Sequence, residues 1–342
     1  MKLTVTKVEQ ETKDAVSVSF KNNRFLNKVK YKPGQFLTLN FKIDGEKFKR
    51  AYSFSSSPVT DKELKITVKR VQGGKISNYI CDSVKAGDKI EVEPAAGGFY
   101  VEPDLNRVRQ YVLFAGGSGV TPVMSITKSV LEKEPESKVL VIFANQDESS
   151  IIFHEEFKCL ASLYPSKLKV EHILTHGVLP GDNYHEGLAT SELIEEIFQK
   201  HNLEFIDHHY MICGPFGYME TIKEILNGFG ITRDKIRVEV FKPPTIKLSG
   251  EELKSEVTMN MNGTTYVMNA KGNKTLLEQA LANNLAIPYS CRSGMCSSCK
   301  GVCTTGEVKM MDGHILDPDE VNRGVILTCV SYPVSEKVVI DF

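Results

Sequence analysis

Neither sign of charge dominates this chain, no apolar run is long enough to cross a bilayer, and no segment repeats. Its 342 residues carry 42 Lys+Arg against 43 Asp+Glu, a formal net charge of -1. That balance offers nothing to nucleic acid or to an anionic membrane surface, so any charged docking patch must be local. The longest apolar stretches, residues 111 to 115 and 139 to 144, are of strand length, whereas a spanning helix needs about 20 apolar residues. No stable membrane insertion is expected. The opening MKLTVTKVEQ alternates like a strand and lacks the apolar core of a signal peptide, which makes the cytoplasm the expected location. Low-complexity tracts are absent too. A composition of 41% hydrophobic and 25% charged residues is that of a globular chain with length for two or three domains.

What is present changes period along the chain. Up to residue 100 the pattern is short β-runs between turns: LTVTKVEQ, AVSVSF, the run after Pro33-Gly34, LKITVKRV and KIEVEP. This predicts a small antiparallel barrel or sandwich. At Tyr111 a continuous apolar strand, YVLFA, leads into the turn GGSGVTP and a helix-like MSITKSVLEKE. The strand KVLVIFAN, a helix over 153 to 160, the strand KLKVEHIL, a helix over 191 to 199, the strand HYMICG and a helix from near Tyr218 follow. Alternation of this kind predicts a doubly wound parallel sheet. FKPPTIKLSGEE, with Pro243, Pro244 and Gly250, reads as a linker. The expected division is therefore 1–103, 104–240, a linker over 241–252, and 253–342.

Eight cysteines are unevenly spread, with four between Cys291 and Cys303. Such clustering favours a metal site over disulfides in a reducing compartment. Cys291, Cys296 and Cys299 have the spacing C-x4-C-x2-C, and Cys329 follows within ILTCVSYP. That is the plant-type spacing, in which four thiolates converge on two irons. Around it, TLLEQALANN reads as a short helix, TMNMNGTTYVM as a hairpin at Asn262-Gly263, and KVVIDF as a final strand. The block resembles a 2Fe-2S ferredoxin domain, which implies an α+β, β-grasp fold. The alternative is structural zinc, although zinc modules more often pair two C-x2-C units. Cys303 falls where the resemblance has a small apolar residue and is left out of the ligand set. Cys81, Cys159 and Cys213 read as small buried residues.

Arg50-Ala51-Tyr52-Ser53 ends a β-run. An isoalloxazine needs an aromatic ring on one face and a hydroxyl near its reactive edge, and a phosphate suits a guanidinium fork. Gly73-Gly74-Lys75-Ile76-Ser77 opens a short helix, whose first amides form a seat for pyrophosphate. Further on, Gly116, Gly117, Ser118, Gly119, Thr121 and Pro122 follow the strand YVLFA. This turn is not G-x-G-x-x-G, and the helix is expected to begin near Pro122.

RAYSFSSSP, VKRVQGGKISNYI and PAAGGFYV resemble the flavin barrel of the ferredoxin-NADP reductase superfamily. GGSGVTP, FANQDESSIIFHEEF and MICGPFGYM occur in the order of its pyridine-nucleotide lobe. The resemblance implies FAD, less often FMN, held by Arg50, Ala51, Tyr52, Ser53, Val68, Lys69, Gly74, Lys75, Ile76 and Ser77. It also places Cys213, Gly214 and Pro215 beside the nicotinamide, sets Ser53 and Cys213 against the reacting rings, and lays Glu239 with Phe241 over the flavin. Asp147, after the second strand, is the expected acceptor for ribose hydroxyls, which tips the choice between NADH and NADPH toward NADH. His208 and His209 read as exposed loop residues, and His154 likewise as exposed on its helix.

A hydride carries two electrons and a 2Fe-2S cluster accepts one, so the order nicotinamide, flavin, cluster follows from chemistry. With the three lobes in this order, the chain resembles the reductase component of a bacterial multicomponent oxygenase, of the phenylacetyl-CoA epoxidase and ketosteroid hydroxylase type. That implies an NAD(P)H oxidoreductase passing electrons to an oxygenase component or another protein acceptor. Two alternatives stand beside it: a flavin reductase with structural zinc in the last block, and a redox-sensing protein.

Overall fold

Six β-runs open the chain in a computed structural model that describes residues 1–22, 28–177, 179–204, 208–242, 254–311 and 313–342. They are β1 (Lys2–Thr12), β2 (Ala15–Phe20), β3 (Phe36–Ile43), β4 (Glu46–Ser53), β5 (Leu64–Lys69) and β6 (Lys89–Val92), in the order β4-β3-β6-β1-β2-β5 with antiparallel neighbours. A bridge between Phe54 and Ile66 joins the two outer strands. It closes the sheet into a barrel, the first of the two expected forms. Phe20, Leu37, Leu39, Phe54, Leu64 and Ile66 fill the interior, together with Ile76 and Ile80 of α1 (Lys75–Ser83). Each such side chain stabilises the fold by about 1.5–3 kcal/mol.

Beyond the barrel, β7 (Gln110–Gly116), β8 (Lys138–Asn145), β9 (Leu168–Leu174), β10 (Tyr184–Glu186), β11 (His209–Cys213) and β12 (Ile236–Glu239) form a sheet in the order β10-β9-β8-β7-β11-β12. All neighbours are parallel. The helices are α2 (Val120–Lys133), α3 (His154–Leu163), α4 (Ser191–Lys200) and α5 (Phe216–Gly228). The chain winds from β7 out to β10 and returns on the other side of β7 through β11. The switch point therefore lies between the carboxyl ends of β7 and β11, where open α/β sheets hold ligands. Val123, Met124 and Ile126 of α2 share a core with Leu113, Val141 and Phe143 of the sheet and with Ala15, Phe99 and Val101 of the barrel. Polar contacts run along the same seam. Ser57 and Ser129 hydroxyls meet at 2.7 Å, and Lys128 joins Asp61 (2.6 Å) to Glu156 (3.0 Å).

Barrel and parallel sheet belong to one compact unit, Met1–Glu239, and the rest to a second, Val240–Phe342. Most of the expected linker, residues 243 to 252, lies outside the described residues. In the second unit β13 (Lys254–Met261), β14 (Thr264–Lys271), β15 (Lys300–Thr305), β17 (Val325–Leu327) and β19 (Lys337–Asp341) make a sheet of order β14-β13-β19-β15-β17. β16 (Val308–Met310) pairs with β18 (Ser331–Pro333). Asn262 and Gly263 turn the first hairpin at φ 51° and 76°, the left-handed pair that a two-residue hairpin demands. The helix α6 (Leu276–Ala282) starts on a capping box between Thr275 and Glu278 and packs Leu276, Leu277 and Ala280 with Val257, Val338 and Ile340. α7 (Pro318–Asn322) completes the β-grasp unit.

Several details depart from expectation. α2 begins at Val120, behind a 3-10 turn over Gly117–Gly119, rather than near Pro122. His209 is no loop residue. It opens β11 and stacks on Tyr111 at 5.2 Å. His208 and His154 are half-buried, and His154 Nε2 lies 2.8 Å from the Tyr184 hydroxyl. Cys159 is exposed and Cys81 half-buried; Cys213 alone of those three is buried.

Candidate active site

Along β4 the side chains alternate, so Arg50 and Tyr52 share one face and Ala51 and Ser53 the other. Ser53 is 3% exposed, and its Oγ is buried with no hydrogen-bond partner. A hydroxyl in that state costs about 1–3 kcal/mol and is disposed to meet a ligand atom. Burial raises the Tyr52 phenol above its usual range, so it stays protonated. Arg50 Nη1 donates to the Lys49 carbonyl at 2.7 Å.

Gly74 caps α1 with no side chain to occupy the amides of Lys75, Ile76 and Ser77. A Cβ at Gly73 would meet nothing within 4 Å, so this turn is open to a phosphate. Its side chains are engaged elsewhere. Ile76 is in the barrel core, Ser77 Oγ accepts from Val71 N (3.2 Å) and donates to Gly74 O (3.4 Å), and Lys75 Nζ pairs with Glu46 at 3.3 Å. The backbone is what the turn offers. On the neighbouring β5, Val68 is 1% exposed and its carbonyl accepts from Cys81 Sγ at 3.7 Å.

At the switch point Ala115 of β7 pairs with Cys213 of β11, and the loops beyond them interlock backbone to backbone. A Cβ on Gly119 would stand 2.0 Å from the Cys213 carbonyl oxygen. One on Gly116 would meet Pro215 at 2.8 Å, and one on Gly214 would meet Gly116 at 3.0 Å. Three glycines are thus needed for packing. Gly117, at φ 50°, is different: a Cβ there would find only Lys69 Nζ, at 3.7 Å. Lys69 accordingly brings a cation from the barrel to the glycine turn. Thr121 Oγ1 donates to Ser118 O at 3.1 Å and fixes the start of α2, where Pro122 is buried. The Cys213 thiol is fully buried, and burial, with Glu239 opposite it in register, holds it protonated.

Asp147 follows β8, but its Oδ1 accepts from Ser149 Oγ (2.7 Å) and Ser150 N (3.0 Å) as a capping box. The hydrogen bond from Ser149 leads in holding this carboxyl below its ordinary range. Glu239 is 2% exposed at the end of β12, whereas Phe241 is 39% exposed and belongs to the second unit.

In that unit the four expected thiols converge. Cys291 and Cys296 Sγ atoms are 3.2 Å apart, and Cys329 hydrogen-bonds to both Cys291 and Cys299. These contacts hold Cys291 below the ordinary thiol range and push Cys296 and Cys329 above it. The Ser293 amide donates to Cys291 Sγ at 3.4 Å. Gly294, at φ 77° with His314 and Val330 packed against it, lets the loop fold this tightly. Four thiols gathered in this way at the plant-type spacing, Cys329 lying against both Cys291 and Cys299, suit a centre of two irons. Cys303 stands apart, its Sγ directed at the carbonyls of Thr305 and Gly306.

Two buried polar groups near the carboxyl ends of the sheet were not among the expected site residues. Tyr218, in the first turn of α5, has a buried hydroxyl without a partner, and Asn145, at the end of β8, has both side-chain polar atoms in that state. Nothing in their spacing marks them, because an unpaired atom is a property of packing.

The chain matches the oxidoreductase FAD-binding domain over residues 2–100, the oxidoreductase NAD-binding domain over 113–224, and the 2Fe-2S iron-sulfur cluster binding domain over 259–334. It is 35% identical over 353 residues to the ferredoxin reductase component of 3-ketosteroid-9-alpha-monooxygenase from Rhodococcus rhodochrous, covering 99% of this chain and 96% of that protein. Against one of the subunits of the 1,2-phenylacetyl-CoA epoxidase of Escherichia coli it is 31% identical over 347 residues, covering 99% and 97%. Among solved structures, phthalate dioxygenase reductase has the same fold, with a TM-score of 0.64 at 23% identity over 100% of this chain and 98% of that one.

Proposed function

We propose a reaction course from one premise: the chain belongs to the family of flavin- and 2Fe-2S-dependent reductase components of oxygenase systems. It is an NAD(P)H oxidoreductase of the ferredoxin reductase type. Bound to the first unit, FAD would supply hydride acceptance from the nicotinamide, and a 2Fe-2S centre on the four thiols would supply one-electron transfer. The chain's own part is to bind, orient and exclude water.

Ser53 offers its hydroxyl to the reactive edge of the flavin, Tyr52 its ring to one face, and Arg50 its guanidinium to the flavin's phosphate. The amides after Gly74 take the pyrophosphate, with Ala51 and Val68 lining the strands beside the ring. Gly116, Gly117, Ser118, Gly119, Thr121 and Pro122 seat the nicotinamide dinucleotide; Lys69, expected at the flavin, instead brings its cation to Gly117 and neutralises the phosphates bound there. Cys213, with Gly214 and Pro215, flanks the nicotinamide, kept neutral by burial. Glu239 bounds the flavin from the end of the lobe. NADH is the favoured donor; the occupied Oδ1 of Asp147 leaves its Oδ2 for a ribose hydroxyl. We assign the lobes to 1–103, 104–240 and 253–342, joined by a linker over 241–252. Cys291, Cys296, Cys299 and Cys329 hold the irons, and the recipient is a separate oxygenase component in the cytoplasm. Among the described residues no helix is long and apolar enough to cross a membrane.

The observation that carries this reading is the convergence of the four thiols. Purified protein is expected to release FAD on denaturation and to contain about two irons and two sulfides per chain. Stoichiometric zinc without sulfide would replace the reading by that of a zinc-stabilised flavin reductase.

A further inference from the structure

Tyr218 sits in the first turn of α5, three residues past Pro215, with its ring against both interlocked loops. The Cβ positions of Gly116 and Gly214 would each lie 2.9 Å from its Cδ1. Burial raises its phenol, so the oxygen is protonated and is a donor as well as an acceptor. Yet that hydroxyl is shut off from water and meets no partner. Tyrosine hydroxyls in a packed site are ordinarily satisfied, and a phenylalanine would fill the same space without the penalty. The ring alone does not account for a tyrosine here.

We infer that Tyr218 is a nucleotide-binding residue, whose hydroxyl donates to an anionic or ribose oxygen of NAD(P)H bound over the interlocked loops of Gly116 and Gly214. The inference rests on the switch point being the nucleotide site. Two features favour an oxygen acceptor. The glycine turn presents backbone amides, and Lys69 adds a cation beside Gly117, so the groups gathered there attract negative oxygen. Cys213, on the adjoining strand end, is neutral and too weak an acceptor to hold the phenol. The hydroxyl thus has no partner within the protein, and the nucleotide supplies one.

The test uses Tyr218→Phe in the full chain loaded with FAD and cluster. Thermal unfolding is measured without nucleotide, and NAD+ or NADP+, whichever the wild type binds more tightly, is titrated by calorimetry. The expected result is an unchanged or higher melting temperature without nucleotide, together with affinity about tenfold weaker. A lower melting temperature without nucleotide, with affinity intact, would show the hydroxyl bonded within the protein and overturn the inference. Unchanged stability and unchanged affinity overturn it as well. If the wild type binds neither nucleotide, the assignment of the switch point fails first, and the inference with it.

Discussion

Ser53 holds a hydroxyl that makes no bond within the protein, and this separates its chemical role from its structural one. Ser53→Ala should leave FAD content unchanged and the melting temperature unchanged or higher, while slowing flavin reduction about tenfold or more, the worth of one hydrogen bond made at the reacting edge. Stopped-flow absorbance reads that rate; a variant as fast as the wild type would remove Ser53 from the reaction. His172 presents the opposite case, a buried base with a structural consequence. Burial, and after it the neighbouring His154, hold its pKa down to about 4 from 6.5. Between those values the unfolded chain binds a proton that the folded chain refuses. Stability is therefore complete above 6.5 and falls as pH drops toward 4, by ~3 kcal/mol at most. His172→Phe, placed against Tyr184 in a stacked position, should flatten that limb of the profile. Urea midpoints at pH 7.5 and 5 check it, and an equally steep loss in the variant would exclude His172 as the source.

At the scale of elements, the interlock of the β7 and β11 loops is the feature most open to a substitution test. Gly119→Ala places a carbon 2.0 Å from the Cys213 carbonyl, and we expect a loss of ~3 kcal/mol or more, with nucleotide binding abolished. Gly217→Ala, in α5 with open space around it, should gain about 0.5–1 kcal/mol. Thermal unfolding of both variants decides; equal melting temperatures would mean that the loops do not interlock. Elements with a strong period were legible in the sequence: β2 and β5 of the barrel, β7 and β8 of the parallel sheet, α6 and the Asn262-Gly263 hairpin. β10 and β12, of three and four residues, are too short to carry a period, and tertiary pairing alone makes them strands. The closing bridge from Phe54 to Ile66 was equally hidden, since it joins residues with no local signal. The glycines of this turn also have a packing reason, which their spacing did not reveal. Gly116, Gly119 and Gly214 are small because two loops meet there, and only Gly117 keeps its face open. The histidines misled because polarity was read as exposure, whereas His209 lies on a ring of Tyr111 and His154 bonds to Tyr184.

For the whole molecule, two units carry complementary sites: a barrel with a switch-point sheet in the first, and four converging thiols in the second. Cluster and flavin chemistry should therefore separate cleanly by mutation. Cys329→Ser is expected to abolish the cluster while NAD(P)H still bleaches the flavin, since Cys329 lies outside the first unit; loss of flavin reduction in a variant that retains FAD would contradict that independence. Passage of electrons from nicotinamide through flavin to a 2Fe-2S centre within this chain is best observed by anaerobic titration of the intact protein with NADH and then NADPH. Visible absorbance and electron paramagnetic resonance are followed together. The prediction is that substoichiometric nucleotide bleaches the flavin while the rhombic signal of a reduced 2Fe-2S centre grows; bleaching with no such signal in iron-replete protein would contradict it.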